Sequence, residues 1–179
     1  MCSSGMRGRP GLRERQIAVN LTKEQIKNAP DLDTDAPVSR QQESELLKHF
    51  GWTPYWRPTP PPPLGPDESG DVHLRSVEAV TGYTVRATDG DFGEVADFIA
   101  DDSLWIIRYV AVDTKQWLPR RQILITPGWV RDIDWALHRA EVSLSREQLK
   151  QAPEYQPGAP VDRKYEARLY AFYGLPHYW

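Results

Sequence analysis

The 179-residue chain carries 22 Lys and Arg against 25 Asp and Glu, with 16 Pro, 7 Trp and one Cys. Its net charge of −3 divides into +2 over residues 1–57 and −5 over residues 58–179, which excludes the broad basic field behind sequence-independent nucleic-acid binding. A lone Cys2 excludes a disulfide framework and a cysteine metal cage, and no apolar run approaches the roughly 20 residues of a membrane span. The start, MCSSGMRGRPGLRERQ, lacks the apolar stretch of a signal peptide, so a cytoplasmic protein with one compact domain and extra segments is expected.

In chain order, Ile17–Leu21 (IAVNL) reads as a short strand, and Leu21–Trp56 is a segment that returns later. LTKEQIKNAPDLDTDAPVSRQQESELLKHFGWTPYW matches LSREQLKQAPEYQPGAPVDRKYEARLYAFYGLPHYW, Leu144–Trp179, without a gap at an offset of 123 residues. Leu21/Leu144, Glu24/Glu147, Gln25/Gln148, Lys27/Lys150, Gly51/Gly174 and Tyr55-Trp56/Tyr178-Trp179 coincide, which reads as an internal duplication. Thr22…Gln25 and Ser145…Gln148 have capping-box spacing at the start of a short helix that Ala-Pro then stops. A longer helix follows in each copy. Tyr165, Leu169, Phe172 and Tyr173 form its apolar stripe in the second copy, Gln42, Leu46, His49 and Phe50 stand at the matching positions, and Gly51 and Gly174 mark left-handed caps.

Arg57–Pro66 (RPTPPPPLGP) should adopt polyproline II, spanning roughly 30 Å at about 3.1 Å per residue. A plain spacer is the reading taken, with a proline-rich ligand as the alternative. The period then becomes strand-like. Tyr83–Thr88, Phe92–Ala100, Trp105–Asp113, Gln122–Thr126, Val130–Asp134 and Ala140–Leu144 read as six strands, with turns at Asp89-Gly90 and Asp101-Asp102-Ser103. Short strands and tight turns predict a small barrel or sandwich.

These strands carry a resemblance. Gly82…Val85, Asp89-Gly90, Gly93…Val95, Asp101-Asp102, Trp105…Thr114, Trp117-Leu118 and Leu124…Pro127 run in the order of the PRC-barrel family, which is named for the photosynthetic reaction centre H subunit and also found in a ribosome-maturation factor. The resemblance covers about Leu74 to Pro153 and implies a six-stranded barrel acting as an adaptor, with no catalytic residues to carry over. The expected fold is therefore mainly β: a small six-stranded PRC-type barrel with short helical tails before and after it. The expected organisation is a first helical tail over residues 1–56, a proline-rich linker over 57–72, the barrel over 73–145 and a second tail over 146–179. By the duplication, the first tail should follow a barrel of its own, so the chain resembles a tandem-barrel member whose first barrel is missing.

Candidate chemistry is sparse. Asp89, Asp91, Glu94, Asp97, Asp101 and Asp102 lack EF-hand spacing, and His49, His73, His138 and His177 form no ligand pair. No nucleophile elbow, phosphate loop or dinucleotide fingerprint is present, so no enzyme, metal or cofactor is expected. Trp117, Arg120 and Arg121 combine the residue types of binding hot spots and are the candidate site, although the favoured reading has Trp117 covering a barrel end while the arginines pair with acids such as Asp113. Trp105, Tyr109 and Val112 are assigned to the core or its flank, and Trp129, Trp135, Tyr178 and Trp179 to the join between barrel and second tail. Leu46, Phe50, Trp52 and Trp56, with Leu47, make the first tail a candidate partner surface, through which a homodimer is expected. The function expected is a non-enzymatic protein-interaction or adaptor module with an unnamed protein partner, the competing readings being an RNA- or ribosome-associated assembly factor and a small hydrolase.

Overall fold

In the computed structural model, which describes residues 17–32, 38–55, 72–114 and 121–179, the short helices start where their hydroxyl residues predict. Thr22 accepts the Gln25 amide while the Gln25 side chain accepts the Thr22 amide, opening α1 (Lys23–Lys27). The described residues divide into two compact units, from Ile17 to His73 and from Leu74 to Trp179.

In the first unit β1 (Val38–Ser39) leads into α2 (Arg40–Phe50), with Ser39 and Gln42 forming a second capping box and Gly51 closing the helix at φ 68°. The His49 imidazole contacts the Gln25 carbonyl at 2.8 Å, which ties α1 to α2. A two-stranded sheet joins β1 to β2 (Val72–Leu74). Ile17–Leu21 forms no strand, and Ile17 and Val19 are exposed, so the likeness of IAVNL to AEVSL does not extend to structure. The linker reading lies outside the described residues except for residue 72.

The second unit follows α3 (Val77–Val80) with β3 (Thr84–Ala87), β4 (Gly90–Asp101), β5 (Ile106–Asp113), β6 (Gln122–Ile125), a 3-10 turn (Pro127–Trp129), β7 (Val130–Asp134) and β8 (Arg139–Val142). These are the six strands read from the sequence. The second matching segment then supplies α4 (Arg146–Gln151), β9 (Glu154–Tyr155) and α5 (Arg163–Tyr173), whose Gly174 cap has φ 66°. The fold is mainly β, as expected, but the closed six-stranded barrel is not observed. One seven-stranded sheet runs β7-β8-β3-β4-β5-β6-β9, parallel at β3–β8 and antiparallel elsewhere. A physical reason lies at β6, whose outer edge is taken by β9: Gln122 pairs with Tyr155 and Ile123 with Glu154. That edge is therefore unavailable for closure.

Alternation on β5 and β6 divides the core. Val110, Val112, Ile123 and Ile125 join Val85, Phe92 and Leu149 on one face, while Tyr109, Ala111 and Leu124 join Tyr155, Leu169 and Tyr170 on the other. Burial on both faces explains why Tyr109–Val112 and Ile123–Ile125 are continuous apolar runs, since neither face of these stretches is left to water. The apolar face of α5 is Tyr165, Leu169, Tyr170 and half-buried Tyr173; Phe172, expected in the stripe, is exposed.

At Gly93 the strands β4 and β5 approach closely, and an added Cβ would overlap the Asp113 carbonyl oxygen and sit 3.3 Å from Val112 Cγ1. Both neighbours belong to a fully buried strand end, so neither has room to move. Gly93→Ala should destabilise the second unit by about 1–3 kcal/mol, read as a lowered denaturation midpoint in urea.

Candidate interaction surface

The centre of the second unit's helix–sheet junction is a carboxylate. Glu166, on α5, is 5% exposed, and its Oε1 accepts the Tyr109 hydroxyl at 2.7 Å and the Tyr178 hydroxyl at 2.8 Å. Its Oε2 accepts Arg163 at 2.9 Å. A buried carboxylate is stable only when its lone pairs are met by donors, and here three donors meet it. The Arg108 and Arg163 guanidinium carbons lie 4.1 and 5.2 Å from the Tyr178 ring centroid, and Arg163 lies 4.5 Å from that of Trp179. Burial first, and the Glu166 carboxylate second, push the Tyr109 hydroxyl far above its ordinary 10.0.

The first unit contains the same constellation at the matching positions. Arg40 and the Tyr55 hydroxyl each donate to Glu43 Oε2 at 3.4 Å, and Glu43 is buried. Arg40-x-x-Glu43…Tyr55 repeats as Arg163-x-x-Glu166…Tyr178, an identity readable in the sequence but absent from the candidate sites above.

Of the sequence-predicted site, Trp117, Arg120 and Trp56 lie outside the described residues. Arg121 is half-buried, and its guanidinium donates to the Lys150 carbonyl, so it anchors α4 to the start of β6. Its own carbonyl accepts the amide and hydroxyl of Thr114 at 3.0 and 3.1 Å. Leu46, Leu47 and Phe50 are half-buried, and Trp52 is exposed with its ring stacked on Phe50 at 4.6 Å. Tyr109 and Val112 are core residues, as expected. Trp129 packs on Tyr173 at 4.1 Å, joining the 3-10 turn to α5, whereas Trp135 stands half-open against Arg75 at 4.4 Å.

Trp105 is the main departure. It is 66% exposed, with Leu104, Ile106 and Ile107 exposed beside it, at the tip of the β4–β5 hairpin. Its φ of 54° lies in the left-handed region, where a bulky residue is an outlier. The turn is held by Asp101, whose Oδ1 accepts the amides of Ser103 at 2.9 Å and Leu104 at 3.1 Å and whose Oδ2 pairs with Arg108 at 3.1 Å. Those amides, then Arg108, hold the Asp101 carboxyl below its ordinary 3.8. At the β3–β4 turn, Asp89 accepts the Arg146 amide at 2.8 Å, and Asp91 pairs with Arg86 at 3.0 Å. Among the described residues, no group of three or more His, Cys, Asp and Glu could hold a metal ion.

A cleft of about 420 Å³ beside β9 is lined by Tyr155, Pro160, Val161, Tyr165 and Arg168, among others. Comparison of the chain with protein-family models and with curated proteins gave no match.

Glu166→Ala should cost about 1–3 kcal/mol, because the Tyr109 hydroxyl then stays buried without its acceptor. In a Tyr109→Phe background the same substitution should cost measurably less, a coupling that a double-mutant cycle in urea reads directly. Alkali gives a second check. Tyr109 and Tyr173 are pushed far up by burial and Tyr165 to about 12, so the unfolded chain loses these protons first. Their stabilising contribution is complete below pH 10 and declines as pH rises above it, so phenolate absorbance should appear together with loss of near-ultraviolet ellipticity.

Proposed function

We propose that the chain is a non-enzymatic, cytoplasmic protein-interaction module of the PRC-barrel kind, working as an adaptor. The observation that carries this reading is the β4–β5 tip, where Leu104, Trp105, Ile106 and Ile107 are exposed together. A large aromatic held in a costly backbone conformation, and contributing little to the core, fits selection for contact with a partner. Asp101 is engaged in the turn and in its ion pair with Arg108, and four consecutive apolar residues make apolar contact the main chemistry of the tip.

Trp105→Gly separates function from stability. Glycine adopts positive φ without strain, and little burial is lost at a residue 66% exposed, so the melting temperature should hold or rise. Protein partners recovered by affinity capture on the wild-type chain should disappear with this variant and should be indifferent to nuclease. Nuclease-sensitive recovery of ribosomal proteins, unaffected by Trp105→Gly, would replace this reading with the ribosome-associated one.

A further inference from the structure

The cleft of about 420 Å³ beside β9 opens between the loop that leaves this strand and the first turns of α5. Its walls are tied together. β9 is laddered to β6, the Tyr155 hydroxyl donates to the Ala159 carbonyl at 3.3 Å, and the Tyr165 hydroxyl donates to the Pro153 carbonyl at 3.1 Å, so strand, loop and helix hold the opening in shape. With both hydroxyls committed, the two rings, 6.2 Å apart and edge to face, form an apolar side together with Pro160 and Val161. Charges of opposite sign line the same cleft. Glu154 and Arg168 are both exposed, and among the described residues neither has an ion-pair partner; the Arg168 guanidinium carbon lies 5.7 Å from the Tyr165 ring centroid. Asp162, the third charged residue of the lining, accepts the Tyr165 amide at 2.7 Å as the N-cap of α5. The helices of the segment do not require this arrangement. The first segment forms its short and long helices, and its own Arg-x-x-Glu…Tyr cluster, with Asp31, Leu32, Gln42 and Glu45 at the places of Glu154, Tyr155, Tyr165 and Arg168. The tyrosine walls and the cation therefore belong to the second segment alone.

We propose that this cleft binds a short peptide with both ends free, its ammonium facing Glu154, its carboxylate facing Arg168 and an apolar side chain lying against Tyr155, Tyr165 and Pro160. The volume falls within the range of small-molecule sites, roughly 300–1,000 Å³. A simple anion would meet the Glu154 and Asp162 carboxylates and a simple cation would meet Arg168, whereas a ligand carrying both signs is matched at each end. The backbone selects a peptide over a lone amino acid. β9 ends the sheet, so among the described residues no strand lies along its outer edge, and that edge offers hydrogen-bonding groups to a peptide unit. The site is separate from the β4–β5 tip, so Trp105→Gly should leave binding unchanged.

The test titrates the full chain with the dipeptides Ala-Phe and Ala-Leu by calorimetry, and locates binding by amide chemical shifts in NMR. Saturable one-to-one binding is expected, with the shifted amides concentrated in residues 154–168. Acetylating the amino end or amidating the carboxyl end should each weaken binding at least about tenfold, as should replacing the dipeptide by free phenylalanine or leucine. Arg168→Ala should weaken the free dipeptide by a similar factor and leave the amidated one unaffected, while Glu154→Gln should weaken the free dipeptide and leave the acetylated one unaffected, which pairs each end with its residue. Both side chains are exposed, so both variants should melt with the wild type, and the end-blocked probes test the proposal on wild-type chain should a variant not fold. No saturable binding of either dipeptide up to about 10 mM, losses that do not pair with the two ends, or shifts centred elsewhere would overturn the proposal. So would an acetylated dipeptide that binds as tightly as the free one, since the occupant would then be the carboxyl end of a longer chain.

Discussion

Removing a carboxylate from water is costly, and Glu166 is tolerated because the fold delivers a donor to it from three places: β5, the first turn of its own helix and the chain beyond Gly174. Each of these deliveries constrains an element. Tyr109 fixes the lateral position of α5 over β5, Arg163 fixes the start of the helix, and Tyr178 brings the terminal aromatics back across it, with the Tyr170 ring 5.8 Å from that of Tyr178 and 5.4 Å from that of Trp179. The apolar burial of Leu169 and Tyr170 provides the adhesion, whereas the carboxylate fixes the register, since a helix slid along the sheet would strand a charge.

The same arrangement bears on the edge of the sheet. An exposed strand edge invites pairing with other chains, and the usual remedies are closure or a cover. Here β9 caps β6 with only two residue pairs, held there because α4 precedes it and α5 follows it. Arg121 reinforces this from the other side by binding the last turn of α4, so the arginine between a predicted binding loop and β6 works as a strut.

Much of this was legible. β-branched alternation located six strands within two residues of their ends, because each pattern is local and each strand is long enough to show it. Closure was not legible, because whether β6 meets another strand or a two-residue insert depends on Glu154-Tyr155, too short for any period. Glu166 was hidden for a related reason: a glutamate on a helix ordinarily reads as solvent-facing, and its burial depends on a tyrosine 57 positions away. Its one sequence trace was the recurrence of Arg-x-x-Glu with a later Tyr in both segments. Trp105 was misplaced because strand alternation was extended backwards into it, although the turn begun at Asp101 continues through it: the Trp105 amide donates to the Asp101 carbonyl at 2.7 Å. Ile17–Leu21 shows the converse. AEVSL owes its order to β3 and β7 on either side of β8, and IAVNL has the letters without those neighbours.

The parallel pairing of β3 with β8 also orders events in time. Thr84, Val85 and Arg86 meet Arg139, Ala140 and Glu141, 55 residues later, with four strands made in between. Closing so long a loop contributes to slow folding. During synthesis at about 5–20 residues per second, β3 is exposed along that edge for about 3–10 s before its partner exists. Arg86, paired with Asp91 on the neighbouring strand, places charge on β3 through that interval, when the edge would otherwise be open to a neighbouring nascent chain.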